Sequence, residues 1–359
     1  VSKIIAALGA LAAAAIFSAA GPVLAQDAAQ DQAKRQQVQP LNNAPIWREV
    51  RSGDPAYTSI KGRETDILIQ PSGQLLPGQK QITAGENWRL ARVPLATIGG
   101  ALIAFTLLVL LAYYTWKGSI GVHEQASGRY IQRFSGAERA AHWTMGISFV
   151  VLAITGLILT FGKNLLLPLL GYTLFAWLAT GAKNLHNFVG PIFSVALPVF
   201  IVLFLRDNLP KAHDVEWLKK AGGMLSGEHV PSGRFNAGEK GQFWVLVVLL
   251  GMVLIVTGLI LNFPNFGQSR STMQLTNVIH LIAAVLATTL AAGHVYLGTV
   301  GMKGAFEAMR YGYVDETWAK EHHQYWYEDV KAGKSRQRFV DAVPAETAAR
   351  VREAIGQHG

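Results

Sequence analysis

The chain has 359 residues, 50% hydrophobic and 15% charged, with no cysteine and a formal charge of +9 at pH 7. Soluble domains average about 25% charged, so these proportions exclude an ordinary soluble enzyme and an intrinsically disordered chain. The missing thiols exclude disulfides, thiolate-bound zinc, iron–sulfur clusters and covalently attached c-type haem, so any redox chemistry uses a cofactor held by histidine or belongs to a partner chain.

Residues 1–25 read as a secretory signal peptide: Lys3, an apolar stretch from Ile4 to Ala20, and V-L-A at 23–25 before Gln26. A retained anchor is the alternative, and either sends the next segment outward. Residues 26–92 carry nine basic and seven acidic side chains and no histidine. They read as an extracytoplasmic extension, with one or two short strands near T-D-I-L-I-Q-P-S-G.

Five apolar runs follow, Val93–Trp116, Ala140–Phe161, Asn187–Leu205, Phe243–Phe263 and Met273–Gly301. Each is long enough to cross a bilayer as a helix. The fold expected is an all-α integral membrane protein, with one extra span (93–116) ahead of a four-helix bundle (140–301). The inner segments are then 117–139, 206–242 and the tail 302–359, and the outer loops are 162–186 and 264–272. Lys and Arg number four, six and nine in the inner segments against two and one in the outer loops. That is the positive-inside asymmetry, and it accounts for the basic charge without nucleic acid.

Four of the ten histidines lie in or at the edge of these spans: His142, His186, His280 and His294. His280 and His294 share one run, fourteen residues apart. On a helix they face nearly the same way, about 40° apart, at depths separated by about 21 Å. One metal cannot join them. Depth pairs His142 with His294 on the inner side and His186 with His280 on the outer side, the arrangement two bis-histidine b haems require. Gly146, Gly156, Gly190, Gly251, Gly258 and Gly293 offer close approach to a flat macrocycle or to another helix. A proton relay or metal transporter would usually recruit carboxylates as well, and the five runs contain no Asp or Glu. His123, His213, His229, His322, His323 and His358 fall in the segments outside the spans and read as solvated side chains.

From about residue 133 to 330 the sequence resembles the gamma, cytochrome b, subunits of membrane-bound respiratory formate dehydrogenases. The residues that carry the likeness are ERAAHWT at 138–144, LHNFVG at 185–190, RFNAGEKGQFW at 234–244, the 280/294 histidine spacing and WAKEHHQYWY at 318–327. The resemblance implies a four-helix cytochrome with two b haems. Its axial ligands fall on His142 and His294 for the inner haem and on His186 and His280 for the outer one. It also implies a quinone, menaquinone or ubiquinone, bound on the cytoplasmic side at Asn236 and Gly238. Read without the resemblance, N-A-G is a turn leading into a helix.

The functional expectation is a cytochrome b in the bacterial inner membrane, with residues 26–92 periplasmic and the C-terminus cytoplasmic. It would take electrons from an iron–sulfur beta subunit and pass them to quinone, while a molybdenum or tungsten alpha subunit oxidises formate. The same module serving a hydrogenase is one alternative, and a haem-free transporter or scaffold is another.

Overall fold

In lipid a backbone amide has no partner except the chain itself, so apolar runs of this length fold as helices. The computed structural model describes residues 84–223 and 230–356. The expected signal peptide and the expected strands near residue 66 lie outside the described residues. The chain divides into two compact units, Val1–Val93 and Pro94–Gly359. Of the first, only the helical residues 84–93 are described.

Helix α1 runs over Ala84–Lys117, and its stretch from Ala91 is the first of five helices, among the described residues, long and apolar enough to cross a membrane. Strand β1 follows at Tyr130–Gln132, then α2 at Gly136–Leu165 and α3 at Leu167–Phe204. After α4 (His213–Lys219) comes α5 (Ala237–Gln242), which continues through a π-helical stretch, Phe243–Leu250, into α6 (Gly251–Asn262). Helix α7, Arg270–Tyr296, ends in a second π turn, Leu297–Gly301. The remainder is α8 (Ala305–Tyr311), β2 (Tyr313–Asp315), α9 (Glu316–His322), α10 (Gln324–Lys331), β3 (Phe339–Val340) and α11 (Ala345–Gly356).

The spans fall where the apolar runs predict, but two boundaries differ. Helix α2 begins at Gly136, ahead of the expected Ala140, because Ser135 caps it. The Ser135 hydroxyl accepts from Glu138 N, and the Glu138 carboxylate accepts from Ser135 N at 2.8 Å, a reciprocal capping box. The expected outer loop 162–186 is largely helix. Helix α3 starts at Leu167, one residue after α2 ends at Leu165, with a proline in its first turn. A kink at Gly171, φ 71°, absorbs the change of direction that a longer loop would otherwise supply. Lys183, Asn184 and Asn187 interrupt the hydropathy here without interrupting the helix, and His186 therefore lies well inside α3.

Alpha1 seats on the rest of the bundle through two glycines. A Cβ added at Gly99 would stand 2.6 Å from Val285 Cγ2, and one at Gly100 would stand 3.0 Å from Phe161 Cε1. Small residues at such a contact let helices approach closely, which is how spans associate when lipid supplies no hydrophobic drive. Ile98, Phe105, Leu108 and Leu111 of α1 are exposed, as lipid-facing side chains are.

The segments expected as inner loops fold together. Beta1 pairs antiparallel with both β2 and β3, in the order β2-β1-β3, with Tyr130 opposite Asp315 and Val340. Ile131, Val314, Trp318, Phe204, Phe134, Trp326 and Ile355 pack into one core beneath this small sheet. Asp315 is fully buried and accepts from the backbone amides of Gly128 and Thr317 and from Ser127, so a carboxylate joins the 127–129 turn to the start of α9. Residues 120–139 and 302–356 are thereby joined into one folded layer.

Candidate cofactor site

Three helices bring the four histidines together in two pairs. His142 on α2 and His294 on α7 have ring centres 6.1 Å apart. His186 on α3 and His280 on α7 have ring centres 6.3 Å apart. The pairing is the one that depth predicts. Two metal–nitrogen bonds of about 2 Å each, plus the step from each nitrogen to its ring centre, place two axial imidazoles about 6 Å apart. Both separations meet that requirement. Among the described residues no group of three or more His, Cys, Asp or Glu comes together. Donors supplied two at a time suit an iron whose remaining ligands belong to its own macrocycle.

The outer pair sits in two matching notches. Thr155 Oγ1 is 2.8 Å from His186 Nδ1, and Thr257 Oγ1 is 2.8 Å from His280 Nδ1. The next residue in each case is a glycine. A Cβ on Gly156 or Gly258 would stand 3.5 Å from Cε1 of the same imidazole, in ordinary van der Waals contact, so each ring lies against the facing helix. The two threonines escape a reading centred on histidine, since threonine in an apolar helix is unremarkable alone. The signal is an internal repeat, T-G-L-I-L at 155–159 and again at 257–261.

The glycines divide by role. A Cβ on Gly251 would press to 2.6 Å from Leu197 Cδ2, so that glycine serves helix packing. At Gly146, Gly190 and Gly293 an added Cβ meets no atom within 4 Å. Gly146 and Gly190 lie one turn beyond His142 and His186, and Gly293 precedes His294. His142 adjoins Trp143 and Phe200, and its Nδ1 is buried with no hydrogen-bond partner among the described residues.

Near the start of α2, a buried ionic lattice holds the loop that contains Asn236 and Gly238. Arg234 donates to both oxygens of Glu138 (2.9 and 3.0 Å), to Asp207 and to the carbonyl of Arg133. Arg133 returns a bond to the carbonyl of Arg234 at 2.9 Å and reaches Glu239 at 3.3 Å. Burial lowers the Arg133 guanidinium to about 10, with Glu239 opposing the shift and Arg234 adding to it, so Arg133 stays charged at neutral pH. Lys240 pairs with Asp214 at 2.7 Å in the same region. Asn236 caps α5, its Oδ1 accepting from Glu239 N at 2.9 Å, which is the helix-start reading of N-A-G. Gly238 lies against Trp217, where a Cβ would stand 2.9 Å from the indole. Glu138 lies one helical turn before His142, so the lattice ties this loop to the helix carrying an inner imidazole.

The expectation of solvated histidines outside the spans fails for His323, which is 2% exposed. Its Nδ1 donates to the carbonyl of Gly233 at 2.8 Å, and the Trp318 ring lies 5.2 Å away, tilted by 42°. Gly233 lies ninety positions away in sequence, which is why local polarity misleads. His213 and His322 are half-buried against Tyr325 and Trp318, and His123 is exposed. His229 and His358 lie outside the described residues.

Burial, reinforced by Arg133 and His322, holds the His323 imidazole well below its usual value. The unfolded chain takes up that proton near pH 6.5, so the contribution is fully present above that pH and lost as pH falls below it, by about 1.4 kcal/mol per unit. Thermal midpoints of the purified protein between pH 7.5 and 5.5 should therefore decline, and His323→Gln should flatten the decline. An equal slope in the variant would show that other groups set it.

The sequence profile of prokaryotic cytochrome b561 matches residues 133–312, a range that holds all four histidines, both threonines and the ionic lattice. The chain belongs to the prokaryotic cytochrome b561 family. This cytochrome is thus a multi-pass membrane protein, and membership in a cytochrome b family implies b-type haem. It is 30% identical over 229 residues to the cytochrome b556 subunit of the nitrate-inducible formate dehydrogenase of Escherichia coli strain K12, covering 61% of this chain and 100% of that protein. It is 32% identical over 208 residues to a second formate dehydrogenase cytochrome b556 subunit of the same strain, covering 56% of this chain and 93% of that one. A formate dehydrogenase cytochrome b556 subunit from Haemophilus influenzae is 28% identical over 214 residues, 56% of this chain and 84% of the relative.

Proposed function

We propose that this cytochrome b is the membrane subunit of a formate dehydrogenase, carrying electrons from an extracytoplasmic iron–sulfur subunit to a quinone reduced at the cytoplasmic side. Formate oxidation belongs to a separate molybdenum or tungsten subunit, since this chain has no cysteine to hold the clusters that feed it. The observation that carries the reading is the pair of imidazole couples, 6.1 and 6.3 Å between ring centres, set at two depths on one helix. When bound, two b haems supply one-electron carriers at those depths.

His186 and His280 hold the outer group, and His142 and His294 hold the inner one. The apolar spans exclude water around both, and the inner ionic lattice shapes the quinone site at Asn236 and Gly238. With Asn236 Oδ1 engaged in the cap, the side-chain amide is the donor offered to a quinone carbonyl. Residues 26–92 lie outside the membrane and the tail inside, as the distribution of Lys and Arg requires. Electrons moving inward work against the membrane potential, at about 2.3 kcal/mol per charge per 100 mV. Proton uptake at the inner face then stores part of formate's free energy as a gradient.

Asn236→Asp keeps the cap and removes the amide donor, so the purified complex should show a raised quinone KM or a lowered rate with its thermal midpoint intact. Asn236→Ala should lose the cap too, at about 1 kcal/mol. Unchanged quinone kinetics in the aspartate variant would remove Asn236 from the site. The formate assignment is tested on the complex isolated through a tag on this chain: formate should reduce its cytochrome, and reduction by hydrogen alone would assign it to a hydrogenase instead.

A further inference from the structure

Two buried hydroxyls mark the outer imidazole pair. Thr155 is 4% exposed and Thr257 is 6% exposed, so no solvent competes for either oxygen. Each threonine lies within 2.7 Å of the carbonyl one turn back, Thr155 with Val151 and Thr257 with Val253. A hydroxyl has one proton to donate, and that carbonyl can only accept. The proton is therefore committed to the backbone, and each threonine oxygen must accept from the imidazole Nδ1–H at 2.8 Å. This sets the tautomer of both rings: Nδ1 carries hydrogen, and Nε2 presents its lone pair. Donating the second ring nitrogen's hydrogen to an acceptor raises the basicity of the ligating nitrogen. His142 of the inner pair differs, because its buried Nδ1 has no partner among the described residues.

We propose that Thr155 and Thr257 are positioning residues that orient the two outer imidazoles and hold the outer haem at a lower reduction potential than the inner one. The proposal rests on the reading of the four histidines as haem ligands. A more basic ligand favours ferric over ferrous iron, so hydrogen bonding on both axial ligands lowers the potential. The lower potential on the outside gives electrons a downhill step inward, in the direction quinone reduction at the inner face demands. Thr155 and Thr257 lie on separate helices, and each is followed by a glycine packed against its ring, so the same arrangement occurs once per ligand.

The test uses the purified complex with Thr155→Val, Thr257→Val, the double variant and the two serine counterparts. Redox titration of the b-haem absorbance, with electron paramagnetic resonance to separate the two haems, should show the outer haem easier to reduce in the valine variants. The double variant should shift its reduction equilibrium about tenfold, which is about 59 mV for one electron, with the inner haem unmoved. Serine should restore the original potential. Loss of only the outer haem with valine and its retention with serine also supports the positioning role. Two retained haems at unchanged potentials in the valine variants would overturn it. His280→Ala separates this from the underlying reading: a variant that keeps both haems would mean the ligand assignment itself has failed.

Discussion

Replacing His280 by alanine should halve the haem content of the purified protein, from two b haems per chain to one. His280 is one of two imidazoles at the outer depth, and its partner His186 stands 6.3 Å away, ring centre to ring centre. The inner pair lies about 21 Å along the helix from it, too far to compensate. The remaining haem should keep the spectrum of the inner site, and formate should no longer reduce it rapidly. His186→Ala should have the same phenotype, whereas His142→Ala and His294→Ala should remove the other haem. Haem extraction against protein mass measures the ratio. If all four variants lost both haems together, the two sites would not be separate.

Arg234→Ala should destabilise the inner end of the bundle by about 3–5 kcal/mol, the usual consequence of leaving a buried ionic partner alone. The Arg234 and Glu138 side chains are 5% and 11% exposed, and the guanidinium also meets Asp207 and the carbonyl of Arg133. Without it, the Glu138 carboxylate loses its buried cation, while Asp207 keeps the exposed Arg336 at 2.9 Å. Glu138 caps α2, so the disturbance reaches the first turn of the helix that carries His142. Arg234→Lys keeps the charge but cannot span both Glu138 oxygens, and it should fall between wild type and alanine. Thermal unfolding in detergent at a fixed protein concentration checks this. A loss below about 1 kcal/mol would indicate a solvated pair.

The spans were legible because lipid imposes a simple rule: apolar length predicts helix. Pairing the four histidines followed from their spacing along helices of known rise. What escaped was set by local chemistry or by distant contacts. Hydropathy averages over Lys183 and the nearby asparagines, so it missed that α3 begins at Leu167, close behind Leu165. The Ser135 cap moved the start of α2 because a hydrogen bond, not hydrophobicity, ends a helix. The folded layer uses strands of two and three residues, too short to show alternation, and pairs residues 130–132 with 313–315. His323 is buried partly by the segment around Gly233, ninety positions away, which its own neighbourhood does not announce. Asn236 read correctly from local turn chemistry as a helix cap, while its quinone role is carried by resemblance and waits on its variants.

Two bis-histidine haems joining a formate-oxidising partner to quinone form the central claim. A reduced-minus-oxidised spectrum of the purified complex, with formate added first and dithionite afterwards, tests it most directly. Two b haems per chain should be reduced by formate, with nothing further gained from dithionite, and a quinone analogue should change their reoxidation. A complex without a b-haem spectrum under either reductant would contradict the account at its base, because the four imidazoles would then hold something else.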